Sequence, residues 1–173
     1  VPQRNYDAFG WDASIYLVLA KSLANGQGLR MINVPGEGFS QYYPIGFPAI
    51  LSVVYRFVSF TDFGFVALCF VSGGACLVSL FFAYCLLKLY VSEKFSALLI
   101  LLLGVNPLLV QFAGRTMSEC VFGLWIIVAI LLAKRAIEDI ALSDRVRNFC
   151  VVGAGVCSGL AMLTRTAGVA IVA

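Results

Sequence analysis

Histidine is absent from this chain of 173 residues, and charged residues are scarce. Without histidine, the chain lacks the commonest general base and the commonest metal ligand of proteins. Asp, Glu, Lys and Arg together make up 12% of the residues, half of the roughly 25% that ordinary soluble domains carry. Apolar residues make up 61%, and the mean hydropathy is +0.96. This composition excludes a disordered chain and indicates an integral membrane protein.

Cysteine pairs with CxxC spacing are absent as well. The six cysteines all lie in apolar runs: Cys69, Cys76, Cys85, Cys120, Cys150 and Cys157. Without such spacing and without histidine, the sequence predicts no zinc site. We expect the thiols to act as small apolar packing groups.

A signal peptide is not visible either. The chain begins with Val1 rather than Met, and no basic segment precedes an apolar core near its start. It ends within an apolar run, at Ala173. We therefore expect the chain to be an N-terminal fragment of a longer protein.

Two regions of the chain, 1–62 and 63–173, differ in composition. The first holds four of the five prolines and five of the seven tyrosines, and it has no long apolar run. The second consists of uncharged segments long enough to cross a hydrocarbon core of about 30 Å. We therefore predict an all-α, polytopic transmembrane bundle of about four spans for 63–173, truncated at its end. We expect 1–62 to be an extracytoplasmic loop with interfacial amphipathic helices beside the membrane.

The predicted spans follow the uncharged segments. In order, they are Phe63–Leu87, Phe95–Gly114, a helix from near Met117 to Ala133, and a last span that Asn148–Thr164 opens, with Arg165 inside the apolar stretch that follows. Asn106-Pro107 is expected to kink the second span, because proline removes a helical hydrogen bond. Glu119 is expected in the first turn of the third span. The charged segments Lys88–Lys94 and Lys134–Arg147 are predicted to be loops at one end of the bundle.

Basic residues predict the orientation of the bundle. Six of them belong to the loops at one end: Lys88, Lys94, Lys134, Arg135, Arg145 and Arg147. The loop at the other end has one basic residue, Arg115. Because basic residues are enriched in cytoplasmic loops, we expect 1–62 and Arg115–Glu119 on the extracytoplasmic side. At 1.5 Å per helical residue, Arg165 is also expected near that side.

Two short helices are predicted in the N-terminal region. The first covers 12–25, where one apolar stripe recurs at helical spacing: Ile15, Tyr16, Leu19, Ala20 and Leu23. Asp12 is its expected N-cap and Gly26 the expected residue just beyond its C-terminus. A helix too short to span and apolar on one face is expected to lie in the membrane interface. The second helix is predicted over Ala49–Phe60, with Arg56 inside it.

A few polar side chains are candidates for chemistry. Asp12 is either a cap that satisfies helical amides or a carboxylate that takes a proton from a hydroxyl, and a capping Asp keeps one oxygen free for both roles. Arg115 and Glu119 form either an i,i+4 ion pair at a helix start or part of a site, since charges at membrane depth mark pathways and sites. Arg165 lies in an uncharged stretch, where a guanidinium suits a phosphate.

Four segments resemble a known family. The stretch from Asp12 through Tyr16 to Gly28 resembles the first extracytoplasmic loop of GT-C membrane glycosyltransferases, in the branch related to protein mannosyltransferases and aminoarabinose transferases. Tyr43-Pro44-Ile45-Gly46-Phe47-Pro48 is similar to the family's tyrosine-proline-proline segment, with Ile45 in place of the second proline. Arg115-Thr-Met-Ser118-Glu119 resembles the arginine and serine-glutamate pair that opens a later span. Leu163-Thr-Arg165-Thr-Ala-Gly168 resembles a threonine-arginine segment that ends another.

The resemblance implies an activity. It implies inverting transfer of a sugar from a polyprenyl-phosphate donor to a lipid or protein acceptor, as part of cell-envelope glycosylation at a prokaryotic inner membrane. In that family an aspartate of the first loop is catalytic, which implies Asp12 as the general base. Arg165 and Arg115 are then expected to stabilise the leaving phosphate, and Glu119 to orient Arg115 or to contact the donor or a metal. Tyr16 and Tyr43 either position a sugar or anchor the protein at the membrane interface.

The cofactor, the partners and two rival classes stay open at this point. Some relatives use a divalent metal, but no metal-binding residues are assigned here. The expected partners are the lipid-linked sugar, its acceptor and membrane lipids, with no nucleic acid. One rival is a transporter or flippase-like permease, in which Arg165 and Glu119 line a path for an anionic substrate. The other is a membrane scaffold, for which alanine at Asp12, Arg115 and Arg165 is harmless.

Overall fold

The computed structural model of the chain describes residues 11–34, 36, 40, 43–58, 62–138 and 143–168. These residues form seven α-helices and one 3-10 helix, with no strand among them. The α-helices are α1 Trp11–Ala24, α2 Gly46–Tyr55, α3 Asp62–Leu87, α4 Glu93–Gly104, α5 Pro107–Ala113, α6 Ser118–Glu138 and α7 Asp144–Thr164, and Thr166–Gly168 is the 3-10 helix. The prediction of an all-α fold is therefore confirmed for the described residues.

Three helices are long and apolar enough to cross a membrane. They are Gly64–Leu87, Ser118–Glu138 and Asp144–Thr164. The α4–α5 pair passes the same test as one unit but is bent by 66°, so the described chain has up to four spans. Large apolar side chains such as Phe70, Leu101 and Phe149 are exposed on these helices, as expected for surfaces that face lipid. This arrangement is compatible with a membrane protein.

The predicted kink at Asn106-Pro107 is a full break between α4 and α5. Asn106 has an extended backbone, and its side-chain oxygen accepts hydrogen bonds from the amides of Leu108 at 2.9 Å and Leu109 at 3.4 Å. Pro107 is the first residue of α5, where its missing N–H costs no hydrogen bond. The Asn-Pro pair therefore ends one helix and caps the next.

The predicted loop Lys134–Arg147 is wrong in its extent. α6 continues to Glu138 and α7 already begins at Asp144, so the last span opens four residues before Asn148. An i,i+4 ion pair of 2.6 Å between Lys134 and Glu138 supports the charged end of α6. Long basic side chains can continue a helix into the interface while their charges reach water.

The loops with basic residues lie at one end of the bundle, as predicted. Lys134 Nζ, near the end of α6, donates a hydrogen bond to the hydroxyl of Tyr90 at 3.0 Å. Tyr90 belongs to the turn between α3 and α4. α3 and α6 therefore end together. Their N-terminal ends lie at the opposite end of the bundle, with α1, α2 and the C-terminus of α7.

α1 matches the predicted helix to within one residue at each end. Gly26 has a positive φ of 72°, and its N–H bonds to the carbonyl of Leu23 while that of Gln27 bonds to Ser22. These bonds form a Schellman motif, which requires the left-handed backbone that glycine adopts without strain. Asp12 differs from the prediction, because it lies inside the first turn of α1 rather than at the N-cap.

The apolar stripe of α1 packs inside the protein. Tyr16, Leu19 and Ala20 of the stripe are buried. Tyr16 and Ala20, together with Leu17, form one cluster with Phe47 and Leu51 of α2, and this cluster extends to α3 and α6 through Leu68 and Val121. The position of α1 relative to a membrane interface stays a prediction, as does the division of the chain at residue 62.

α2 is displaced from the predicted helix. It begins three residues before Ala49, because proline is tolerated in the first turn and Pro48 does not delay the helix. It ends at Tyr55. Arg56 is the C-cap, with its N–H bonded to the carbonyls of Ser52 and Val53 at 3.2 Å. The basic residue therefore lies at the helix end and not within it.

Candidate functional site

Asp12 is exposed and bonds to a tyrosine from a different segment. The hydroxyl of Tyr43 donates a hydrogen bond of 3.0 Å to Asp12 Oδ1. Burial, followed by the adjacent Asp12 carboxylate, raises the pKa of Tyr43 to about 12. Tyr43 therefore stays protonated and remains a donor at any physiological pH.

Tyr16 lies beneath this pair and is only 6% exposed. Its hydroxyl is 3.1 Å from Ser118 Oγ, at the start of α6. Its ring meets the rings of Tyr43 and Phe47 edge to face, with centroids 5.5 and 5.0 Å apart. The side chain predicted as a sugar contact is thus enclosed by protein and joins α1 to α6.

The surroundings of Tyr16 also show which charges lie near one another. The pKa of Tyr16 is raised overall, and burial is the largest cause. The carboxylates of Asp12 and Glu119 also raise it, whereas the hydrogen bond with Ser118 and the charge of Arg165 act in the opposite direction. One phenol is thus within electrostatic reach of three of the predicted site residues. These residues come from three helices and are 153 positions apart at the extremes.

Glu119 and Arg165 form an ion pair. Arg165 Nη1 is 2.6 Å from Glu119 Oε1, and the side chains are 39% and 24% exposed, respectively. Arg165 is the C-cap of α7, with an extended backbone. Glu119 is in the first turn of α6, as predicted. Its second oxygen, Oε2, is buried and has no hydrogen-bond partner among the described residues.

The predicted alternative of an ion pair between Arg115 and Glu119 is wrong. Glu119 pairs with Arg165 instead, because the chain turns between Gly114 and Met117 and the two residues do not share a continuous helix. Hydrogen-bonding geometry assigns the amide oxygen of Gln111 to the Arg115 side, where it accepts from both terminal guanidinium nitrogens at 3.1 Å. Arg115 is therefore held by α5.

Gly46 is a residue that sequence reasoning missed. A Cβ at this position would lie 2.6 Å from the carbonyl oxygen of Leu163 and 3.0 Å from the amide nitrogen of Thr164. The N-terminus of α2 thus touches the backbone at the end of α7. This contact brings the segment that carries Tyr43 against the segment that carries Arg165. A glycine between two prolines of a predicted loop was the available signal, but its partner is more than a hundred residues away in the chain.

The described residues do not supply a metal site. No group of three His, Cys, Asp or Glu side chains within them is arranged to hold a metal ion. Asp12 is bonded to Tyr43 and Glu119 to Arg165.

The predicted site residues thus gather at one end of the bundle. Asp12 and Tyr43 form one pair and Glu119 and Arg165 a second, with Tyr16 packed between them. No family model matches this chain, and no curated protein and no solved structure is significantly similar to it. The resemblance of its four segments to GT-C glycosyltransferases stays a prediction from the sequence.

Proposed function

We propose that this chain is part of a membrane glycosyltransferase of the GT-C type. It transfers a sugar from a polyprenyl-phosphate donor to an acceptor hydroxyl on the extracytoplasmic face. The observation that carries the proposal is that an exposed carboxylate, Asp12, and a partly exposed guanidinium, Arg165, lie at the same end of an apolar bundle, both within electrostatic reach of Tyr16. Such a pair offers a proton acceptor and an anion-binding group at membrane depth, where charges mark sites.

Asp12 acts as the general base in this proposal. Tyr43 holds Oδ1 at 3.0 Å, which leaves Oδ2 to accept the proton of the acceptor hydroxyl. As that proton moves to Oδ2, the hydroxyl oxygen bonds to the anomeric carbon of the sugar. A positioned base of this kind contributes about 10²–10⁴-fold to a rate.

Arg165 stabilises the leaving group. The bond between the anomeric carbon and the phosphate oxygen breaks, and its electron pair stays on the phosphate. Glu119 occupies one nitrogen of the guanidinium, Nη1, so the remaining N–H groups of the planar fork are available to an anion. Arg115, held by Gln111 at the end of α5, adds a second positive charge at this end of the bundle.

The extracytoplasmic placement follows from the distribution of basic residues. Lys88, Lys94, Lys134, Arg135, Arg145 and Arg147 belong to the turns and helix ends opposite the site. Because such residues favour the cytoplasmic side, the site faces outward. A polyprenyl-phosphate carrier that has been flipped presents its sugar on that side.

The test is to distinguish transfer from transport. The full-length protein that contains this chain is reconstituted in liposomes that contain a polyprenyl-phosphate donor with a radiolabelled sugar, together with an extract of candidate acceptors. We expect label to leave the donor and to appear covalently on an acceptor. Label that crosses the bilayer while still attached to the donor would instead support the permease, in which Glu119 and Arg165 line a path.

A further inference from the structure

The start of α6 and the two residues before it bond to α1, to α3 and to the C-cap of α7. We name Thr116–Glu119 the α6 hub. Thr116 Oγ1 donates to the Ala13 carbonyl at 3.5 Å. The Met117 N–H donates to Ser72 Oγ at 3.2 Å, and Ser72 Oγ donates to the Met117 carbonyl at 3.0 Å. Ser118 Oγ bonds to the Tyr16 hydroxyl at 3.1 Å, and Glu119 pairs with Arg165 at 2.6 Å. The hub thus joins α1, α3 and the end of α7.

Two neighbouring hub residues hold the two halves of the proposed site. Ser118 bonds to Tyr16 of α1, the helix that carries Asp12. Glu119 bonds to Arg165 at the end of α7. The side chains of successive helical residues point about 100° apart. Ser118 and Glu119 therefore reach partners on different sides of α6. The separation of the base from the guanidinium is therefore set within a single helical turn.

The bonds of the hub to α1 lie close to Asp12. Thr116 contacts the carbonyl of Ala13, the residue directly after Asp12. Thr116 and Ser118 are each almost completely buried. Apolar side chains could fill the same space, but they would not fix the register of α1 against α6, because packing is far less directional than a hydrogen bond.

We infer that Ser118 is a positioning residue for the proposed transfer, acting on Asp12 through Tyr16, and that Glu119 positions Arg165. This inference rests on the proposed function. The two neighbours then affect different kinetic constants. Loss of the Ser118 bond displaces the base, which acts in the transition state, and lowers kcat. Loss of the Glu119 carboxylate releases Arg165, which also binds the donor phosphate before reaction, and raises KM for the donor.

The experiment is a double-mutant cycle on the Tyr16–Ser118 bond. Label transfer is measured in membranes that contain the wild type, Ser118→Ala, Tyr16→Phe or the double variant. We expect each single variant to lower kcat by about tenfold, the effect of one lost hydrogen bond on a rate, with KM for the donor changed by less than about twofold. The double variant should lose no more than either single variant, because both remove the same bond.

Three further variants complete the experiment. Ser118→Thr keeps the hydroxyl and should retain most of the wild-type kcat. Ser158→Ala is the matched control, because Ser158 bonds to the carbonyl of Ala154 within its own helix, and it should leave both constants unchanged. Glu119→Gln should raise KM for the donor.

The outcomes separate the inference from the proposed function. An active wild type with Ser118→Ala at full kcat overturns the positioning role while the glycosyltransferase stands. The same holds if Ser118→Ala lowers the unfolding temperature in detergent but not the kcat of the folded fraction, since a purely structural bond behaves that way. Additive losses in the double variant also overturn it. A full-length wild type that consumes no donor rejects the proposed function itself.

Discussion

The close approach of α2 to the end of α7 makes Gly46→Ala the sharpest test of the fold around the site. The added Cβ would lie 2.6 Å from the carbonyl oxygen of Leu163, about 0.8 Å short of the 3.4 Å at which ordinary van der Waals contact begins. The opposing atoms belong to the backbone and cannot rotate away. Either α2 or the segment that carries Arg165 must therefore move.

The magnitude follows from this displacement. Overpacking against backbone costs about 3 kcal/mol, and about 1 kcal/mol is regained because alanine favours helix over glycine. A net loss of about 2 kcal/mol lowers the unfolding temperature of a chain of this size by about 4–8 °C. Since a misplacement of about 1 Å can cost 10²-fold in rate, we expect sugar transfer to fall by at least about tenfold.

The assay compares two glycine variants in detergent and in membranes. Gly74→Ala is the control, because a Cβ at Gly74, in the interior of α3, meets no described atom within 4 Å apart from its chain neighbours and the adjacent backbone of its own helix. It should keep or raise the unfolding temperature and leave transfer unchanged. Gly46→Ala that unfolds and transfers like the wild type would refute the close approach and the joining of the two segments.

Three other substitutions test single contacts. Tyr43→Phe removes the donor to Asp12 and should lower transfer by about tenfold. Because the pKa of Tyr43 is raised to about 12, the phenol keeps its proton in the folded protein. The rate of the variant relative to that of the wild type should therefore be equal at pH 7 and pH 10. Asn106→Ala removes the cap of α5 and should cost about 1 kcal/mol, measured by thermal unfolding. Ser72→Ala removes both bonds to Met117 and should cost about 1–3 kcal/mol by the same measurement.

Matched controls exist for each of these variants. Tyr84→Phe affects a tyrosine that bonds to Glu93 at the opposite end of the bundle and should leave transfer intact. Asn148→Ala changes an exposed residue in the first turns of α7, and Ser158→Ala removes a bond within one helix. If these controls lose as much as the test variants, the contacts named above do not carry the effects.

Sequence alone predicted what depends on neighbouring residues. Gly26 after an apolar helix and Glu119 in a first turn are local signals that the structure confirms. Asn106-Pro107 inside an apolar run is also a local signal, although it separates two helices instead of kinking one. The helical apolar runs that form the spans belong to the same class. Their physics is contained in a few consecutive residues, because hydrogen bonds and periodicity act over one or two turns.

The partners across the bundle could not be predicted in the same way. One predicted alternative for Glu119 was a pairing with Arg115, four residues away, yet Glu119 pairs with Arg165, the C-cap of α7. Tyr16 was expected at a surface, yet it is enclosed by α6 and by the segment that precedes α2. These contacts, and that of Gly46 with Leu163, depend on how the helices pack. The spacing of residues within the sequence does not specify that packing.

The charged helix ends show a different source of error. Hydropathy alone predicts a loop for a charged segment such as Lys134–Glu138. It is helical because Lys134 pairs with Glu138 one turn away and bonds to Tyr90 across the bundle. The ends of apolar spans are therefore set by the reach of long side chains as well as by hydropathy.

The most direct test of the proposed transferase is the loss of one carboxylate. Transfer of radiolabelled sugar from a polyprenyl-phosphate donor is measured in membranes that contain the wild type, Asp12→Asn or Asp144→Asn, the last an exposed aspartate in the first turn of α7. We predict at least about 100-fold slower transfer for Asp12→Asn, at an unchanged unfolding temperature, and wild-type transfer for Asp144→Asn. Wild-type turnover by Asp12→Asn would contradict its role as the base.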